Sequence, residues 1–340
     1  MRSIFLYEFL TGGGCWNLGD KPPSGSLLAE GTAMRDALAT DLAAIESIKE
    51  VRLFHDVRLA RPELPKQRLY ETKGTADPFV ELMEPMEVCE LALVIAPEFR
   101  LITLTPFVEL HCEIISPNST VVKLCSNKWK TCEHLKARGI SAPRGITFEK
   151  IPRDLDSAIF PAVLKPNDGC GSQGVQVIET FEELAAVDLT QESPWRLERY
   201  HPGIHVSVSV LTGPQGVIPL QPCTQRLSDD GRFQYRGGST PIPEHYAQRA
   251  KRLANAAAET LLPCRGYLGI DMVLGSAEDG SQDVVIEINP RLTTSYLVLR
   301  QACEQNLAEA MLQWAAGEPV ELTWRPQHFE FAVPAPAHRP

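Results

Sequence analysis

The spacing of apolar and polar positions changes several times along the chain, and each change predicts an element. Residues 3–7, SIFLY, form a nearly unbroken apolar run that predicts a short buried strand, and the Gly/Pro/Ser-rich stretch 11–26 after it is long enough to be a functional loop. Leu27, Leu28, Met34, Leu38, Leu42 and Ile45 recur at helical spacing, with Ser26 placed to cap the helix they predict. Residues 51–54 predict a second strand, 78–86 a helix opened by Asp77 and Pro78, and 91–96 a third strand. This alternation predicts a small α/β domain with a parallel sheet over roughly the first 115 residues.

The pattern then changes. A short strand near Val121 leads to Ser126 as N-cap of a helix that ends at Gly139, with Pro143 beyond. Runs 162–165, 175–178 and 206–211 are β-rich, with a helical pattern at 181–186 between them. After an irregular Gly/Pro-rich passage, 233–243, an amphipathic helix runs from about Tyr246 to Leu262 and stops at Pro263. A hairpin over 268–289 and a helix through Leu307, Met311 and Trp314 to Gly317 complete the elements, leaving a loosely held tail after Trp324. The expected units are 1–118, 119–195, 196–322 and a Pro-rich tail, 323–340.

Composition narrows the function. A chain of 340 residues, 44% hydrophobic and 22% charged, has the make-up of a soluble protein of two or three compact units. Its formal net charge is −10 and no Lys/Arg cluster interrupts it, which excludes a broad nucleic-acid surface. The nine cysteines lack any C-x-x-C pair, arguing against a disulfide framework or a zinc site and for a reducing cytoplasm. No signal-peptide pattern and no membrane-length apolar run stand in the sequence, so no membrane partner is expected.

Two stretches carry chemistry. In VLKPNDGCGSQGVQVI, residues 163–178, Gly169, Gly171 and Gly174 have the G-x-G-x-x-G spacing of a dinucleotide turn. Such a turn must lead into a helix, whereas Val-Gln-Val-Ile is an alternating strand pattern, so this loop joins two antiparallel strands. Its amides can still wrap phosphate, with Lys165 adding positive charge; an ordinary surface hairpin is the alternative. In GIDMVLGSAEDGSQDVVIEINPR, residues 269–291, a turn centred near Asp279 sets Asp271 opposite Glu287. Alternation puts Glu287 and Asn289 on one face with Asp271, a hard-oxygen set suited to Mg²⁺. Two solvated acids on an exposed sheet face are the alternative reading.

With both in hand, residues 120–315 resemble the ATP-grasp family, which implies two α+β subdomains behind a small Rossmann-like parallel α/β domain. In SNKWKTCEHLKARGISAPRG the resemblance makes Lys128 a nucleotide-phosphate lysine; in PAVLKPNDGCGSQGV it makes Lys165 the second, followed by the loop of Gly169, Gly171, Ser172 and Gly174 that closes over ATP. In WRLERYHPGIHVSVSV it makes Glu198 the acid that accepts from the adenine amino group, with backbone groups of Arg199 and His201 beside it. His205 stands where many members carry a ribose-binding glutamate. In IEINPR, Glu287 and Asn289 become metal ligands together with Asp271, and Arg291 lies near the transferred phosphate. The implied cofactors are ATP and Mg²⁺, with Mn²⁺ as an alternative ion.

The implied reaction joins a small-molecule carboxylate to an amine through an acyl phosphate, producing ADP. FLYEFLTGGG, SLLAEGTAMRDAL and GRFQYRGGSTPIP further resemble a group that includes the tyramine–glutamate ligase of methanofuran biosynthesis, which implies glutamate as the acid. Arg226 and Arg236 are candidate carboxylate clamps or else solvated loop arginines, while Glu8 and Glu30 either contact an amine or merely cap structure. A bicarbonate-activating carboxylase or carbamoyl-phosphate-type enzyme and a non-catalytic ATP-binding regulator are the alternatives, and the resemblance allows a homodimer. Limited proteolysis with and without Mg·ATP tests the glycine loop: cleavage within 167–174 should be suppressed by the nucleotide.

Overall fold

The computed structural model describes residues 2–16, 22–72, 74, 78–168, 174–189 and 194–333. Asp77, Gly169, Cys170, Gly171, Ser172 and the end of the tail lie outside them. Three sheets organise what is described. The first is parallel, with β1 (Arg2–Glu8), β2 (Ile48–Asp56), β3 (Gln67–Thr72), β4 (Leu91–Ile95) and β5 (Glu113–Ile114) in the order β3-β2-β1-β4-β5. Both faces of β1 are covered, which explains its unbroken apolar run. Ile4 and Leu6 pack with α1 (Gly25–Ala44), while Phe5 and Tyr7 pack towards α2 (Pro78–Met86) and α3 (Glu98–Glu109).

Next come α4 (Ser119–Cys125) and α5 (Lys128–Lys136), then an antiparallel sheet of β6 (Gly145–Phe148), β7 (Ala162–Pro166), β8 (Gln176–Ile178), α6 (Phe181–Ala185) and β9 (Trp195–Arg199), its strands ordered β6-β9-β7-β8. The third sheet holds β10 (Ile204–Gly213), β11 (Gly216–Pro219), β12 (Cys223–Leu227), β13 (Tyr235–Thr240), β14 (Gly266–Leu274), β15 (Val284–Asn289) and β16 (Phe329–Ala332). Its order is β15-β14-β10-β12-β13-β16, with β11 paired to β10. Helix α7 (Glu244–Glu259) follows β13, and α8 (Tyr296–Ala302) and α9 (Leu307–Ala315) follow β15.

Packing explains where pattern and structure differ. Helix α1 begins at Gly25 with Ser24, not Ser26, at the cap. The stretch around Val121 is the helix α4 and not a strand. Asn118 accepts from the Val121 amide at 3.1 Å, and Val121, Val122 and Cys125 share the buried side, so cap and packing override the β-branched preference. The passage 233–243 contains β13. Its glycines allow close strand approach, since a Cβ on Gly237 (φ +128°) would come within 2.0 Å of the Phe331 carbonyl oxygen. The tail is correspondingly held, through β16, to β13. Strand β3 and helix α3 were not predicted from the pattern.

Two polar anchors join the layers. Asp41 on α1 accepts from Tyr296 at 2.6 Å and from Arg300 Nε at 2.8 Å, both on α8, tying the first layer to the third. Helix α7 lays Ala247, Ala250, Ala254, Ala257 and Ala258 into a core with β10 and β14. Arg249 then fixes the base of the β14–β15 turn, bonding the Gly275 carbonyl at 2.8 Å and the Asp283 carboxylate, with Nε to Oδ2 at 3.0 Å. Both side chains are buried, so Arg249→Ala strands an unpaired carboxylate and should cost about 3–5 kcal/mol, read as a lowered urea midpoint.

Candidate active site

A cavity of about 320 Å³ opens where the three sheets meet. Strand alternation brings its charged groups together. On β7, Val163 and Lys165 face the same way, and β9 pairs Val163 with Glu198 and Lys165 with Arg196. Glu198 Oε1 therefore pairs with Lys165 Nζ, and Oε2 with Arg196 Nε at 2.7 Å. Burial pushes the Glu198 carboxyl up, but the two cations outweigh it and hold its pKa below the ordinary carboxylate value.

The third sheet supplies the second set. The register pairs Asp271 with Glu287 and Gly269 with Asn289, as the alternating sequence predicted, with an irregularity directly after Asp271. Asp271 Oδ2 accepts from Asn289 Nδ2 at 3.1 Å and Oδ1 from Gln225 Nε2 at 3.0 Å. Lys128, at the start of α5, reaches Glu287 Oε2 at 3.0 Å. Asn167 steadies that helix start, its carbonyl accepting from the Lys128 amide and its side chain from the Trp129 amide, each at 2.9 Å. The two acids titrate apart. Burial and then the Glu287 charge lift Asp271 to about 6, whereas at Glu287 burial is outweighed by Lys128 and Lys165 and its pKa is lowered.

Arg291 also lines the cavity, with Nε on Glu98 Oε1 at 2.8 Å and Nη1 on the Leu292 carbonyl at 3.2 Å. Arg199, His201 and His205 line its other end, where the His205 ring lies 5.7 Å from Phe233 and the His201 Nε2 is buried with no hydrogen-bond partner among the described residues. Burial lowers the pKa of both imidazoles, favouring the neutral ring. Gly174, the described end of the glycine loop, has φ +70° and sits over Pro166.

Arg226 and Arg236 do not line the cavity. Alternation turns Gln225, Leu227 and Tyr235 inwards, so the two arginines project from the opposite face, where Arg226 meets Glu330 at 3.5 Å and Arg236 bonds Gln234 at 3.2 Å. Glu8 and Glu30 both line the cavity. Sequence reasoning missed Arg196, Gln225, Tyr235, Asn167 and Glu98. Gln225 and Tyr235 lie on strands β12 and β13, which the pattern did not reveal, and nothing local connects Glu98 to Arg291.

The donor set fits a hard cation. Two carboxylates and an amide lie on one face of adjacent strands, and Asp271 has amide donors but no cation in contact, which is why its charge is penalised. No group of three or more His, Cys, Asp or Glu suited to a metal occurs among the described residues, so an ion here takes its further ligands from water and substrate oxygens. No helix among the described residues is long and apolar enough to cross a membrane.

Comparison with known proteins agrees with this geometry. Residues 125–295 match the family model of the ATP-grasp domain. The chain is 24% identical over 312 residues to the tyramine–L-glutamate ligase of Methanocaldococcus fervens, covering 90% of this chain and 94% of that protein. It is 27% identical over 191 residues to D-alanine–D-alanine ligase A of Bacillus cereus, covering 53% and 62%. Among solved structures, an ATP-grasp superfamily protein from Archaeoglobus fulgidus superposes with a TM-score of 0.69 at 24% identity, covering 94% of this chain and 90% of that one.

The Asp271 shift has a measurable sign. Its folded pKa of about 6 lies above the ordinary 3.8, so the cost of its charge is full above about 6 and gone below 3.8. Asp271→Asn should raise the melting temperature of the ligand-free protein at about pH 7.5, with the gain shrinking as pH falls through 6.

Proposed function

Because the chain belongs to the ATP-grasp family, we propose that it is an ATP-dependent ligase that joins a carboxylate to an amine, with glutamate and an amine such as tyramine as the substrate pair. The observation that carries this reading is the Asp271–Glu287 pairing with Asn289 beside Lys128 and Lys165 in one cavity. The 24% identity to a tyramine–L-glutamate ligase, extending over nine-tenths of the chain, supports the substrate pair.

Lys128 and Lys165 are each fixed by an acid on a neighbouring element, so their ammonium groups stand ready for triphosphate oxygens without reorganising. Glu198, besides holding Lys165, keeps lone pairs that can accept from the adenine amino group, while backbone groups of Arg199 and His201 complete the base contacts. A neutral His205 can bond a ribose hydroxyl. Asp271, Glu287 and Asn289 would hold Mg²⁺, which when bound neutralises and aligns the phosphates. Arg291, steadied by Glu98, faces the transferred group.

A carboxylate oxygen of the acid substrate attacks the γ-phosphorus as its bond to the bridging oxygen breaks, releasing ADP. The amine gives up one proton to water to free its lone pair, its nitrogen attacks the acyl carbon, the carbon–oxygen bond to phosphate breaks, and the nitrogen gives up a second proton to water. Positioning and charge neutralisation carry the first step, so no side-chain nucleophile is required.

Purified protein with Mg·ATP, glutamate and tyramine should release ADP and phosphate and give an amide visible by mass spectrometry. ADP release without an amide, or none with any acid and amine tried, overturns the reading. Glu287→Ala and Asn289→Ala should each lower turnover by about 10²–10³-fold, and Glu287→Ala should also lower the urea midpoint because it strands the Lys128 ammonium, so turnover is compared at a temperature where the variant is folded by circular dichroism. Near-normal turnover in Glu287→Ala would sink the metal assignment.

A further inference from the structure

The cavity is divided by charge. Its cationic lining residues, Lys128, Lys165, Arg199 and Arg291, come from the second and third sheets and the α5 start. The wall supplied by α1 and the ends of β1 and β4 contributes Glu8, Leu10, Leu27, Glu30, Gly31 and Met34 and, among the described residues, no cation. That wall is also the topological switch point of the first sheet. In the order β3-β2-β1-β4-β5 the connections diverge between β1 and β4, which opens a crevice beyond their carboxyl ends.

The two acids in that wall differ. Glu8 is buried and occupied: Oε2 accepts from the Thr11 amide and hydroxyl, each at 2.7 Å, and Oε1 from the Leu10 amide at 3.1 Å. Helix α1 presses down on it, since a Cβ on Gly31 would come within 2.7 Å of Glu8 Oε1. Glu30, one residue earlier, is half-buried at the crevice, and no hydrogen bond or ion pair to its carboxylate is made by the described residues.

We propose that this compartment binds the amine substrate as a primary ammonium ion, held by Glu30, with an apolar body lying on Leu10, Leu27 and Met34. This inference rests on the ligase reading. An apolar crevice with one uncommitted carboxylate selects a cation with a hydrophobic tail and disfavours an anion, leaving the cationic half of the cavity to the nucleotide. Burial raises the Glu30 pKa against the opposing pull of Arg291, and an ammonium ion in contact would relieve that cost.

Isothermal titration of the full chain with Mg·ADP present tests the compartment without turnover, using 2-phenylethylamine and its neutral counterpart 2-phenylethanol. The amine should bind at least about tenfold more tightly than the alcohol, and Glu30→Gln should bring the two within about twofold at a melting temperature no lower than the parent's. Equal affinities in the parent protein, no amine binding, or a preference that survives Glu30→Gln overturns the proposal. The two readings fail separately. Amine binding that depends on Glu30 without amide formation sinks the ligase reading, whereas amide formation with the amine KM unmoved by Glu30→Gln sinks the compartment.

Discussion

Burying a lysine is costly unless a carboxylate is buried with it, and the candidate site is built on that constraint. Lys165 and Arg196 share Glu198, Lys128 pairs with Glu287, and Arg291 is held by Glu98. Removing one member of such a pair leaves the other charged in a poor solvent, so the groups stand or fall together. In two of these contacts the partners are far apart in the chain: Lys128 opens α5 and Glu287 sits on β15, while Glu98 begins α3 and Arg291 follows β15. The charges are therefore compensated only when the layers have docked. The same ion pairs that fix these cations in the cavity also tie the layers together.

The scaffold around those pairs is correspondingly stiff. Alanines on α7 let it sit close against β10 and β14, and the Arg249–Asp283 contact pins the turn end of the hairpin that carries Asp271 and Glu287. On the other side of the cavity, Asp41 collects Tyr296 and Arg300 and binds α1 to α8. The crevice wall that includes Glu30 is thereby fixed relative to the segment that includes Arg291. A ligase that passes an activated acyl group to an amine needs the two half-sites at a constant separation, and these polar anchors supply it.

Much of this was legible in the sequence wherever one period governs one element. Alternation in 284–289 and 269–274 gave both the hairpin and the register of Asp271 against Glu287, because a strand with one face towards a cavity has no freedom in which residues point there. Where two influences compete, the pattern misled. The Val121 region has β-branched residues but a capping asparagine, and the cap with its buried side prevailed. Gly237 and Gly238 read as a loop, yet they are glycines because neighbouring backbones come too near for a Cβ. Arg226 and Arg236 failed as clamps because strands β12 and β13 were not recognised there, and without a strand there is no basis for assigning faces. The Glu98–Arg291 contact spans 193 positions and has no local signature.

The unequal treatment of the two facing acids shows what the site is prepared for. Asp271 and Glu287 are cross-strand neighbours in the same buried surroundings, yet one is pushed towards protonation and the other away from it. The difference is the cation in contact. Glu287 has the Lys128 ammonium, whereas Asp271 has the neutral donors of Asn289, Gln225 and Ser207. In the proposed metal site, a cation bound between the strands would recover at Asp271 the stabilisation that Lys128 already provides at Glu287. By the sign of that shift, the ligand-free protein is expected to be less stable at neutral pH than a sequence with an amide at position 271, and an ion bound there would offset that deficit.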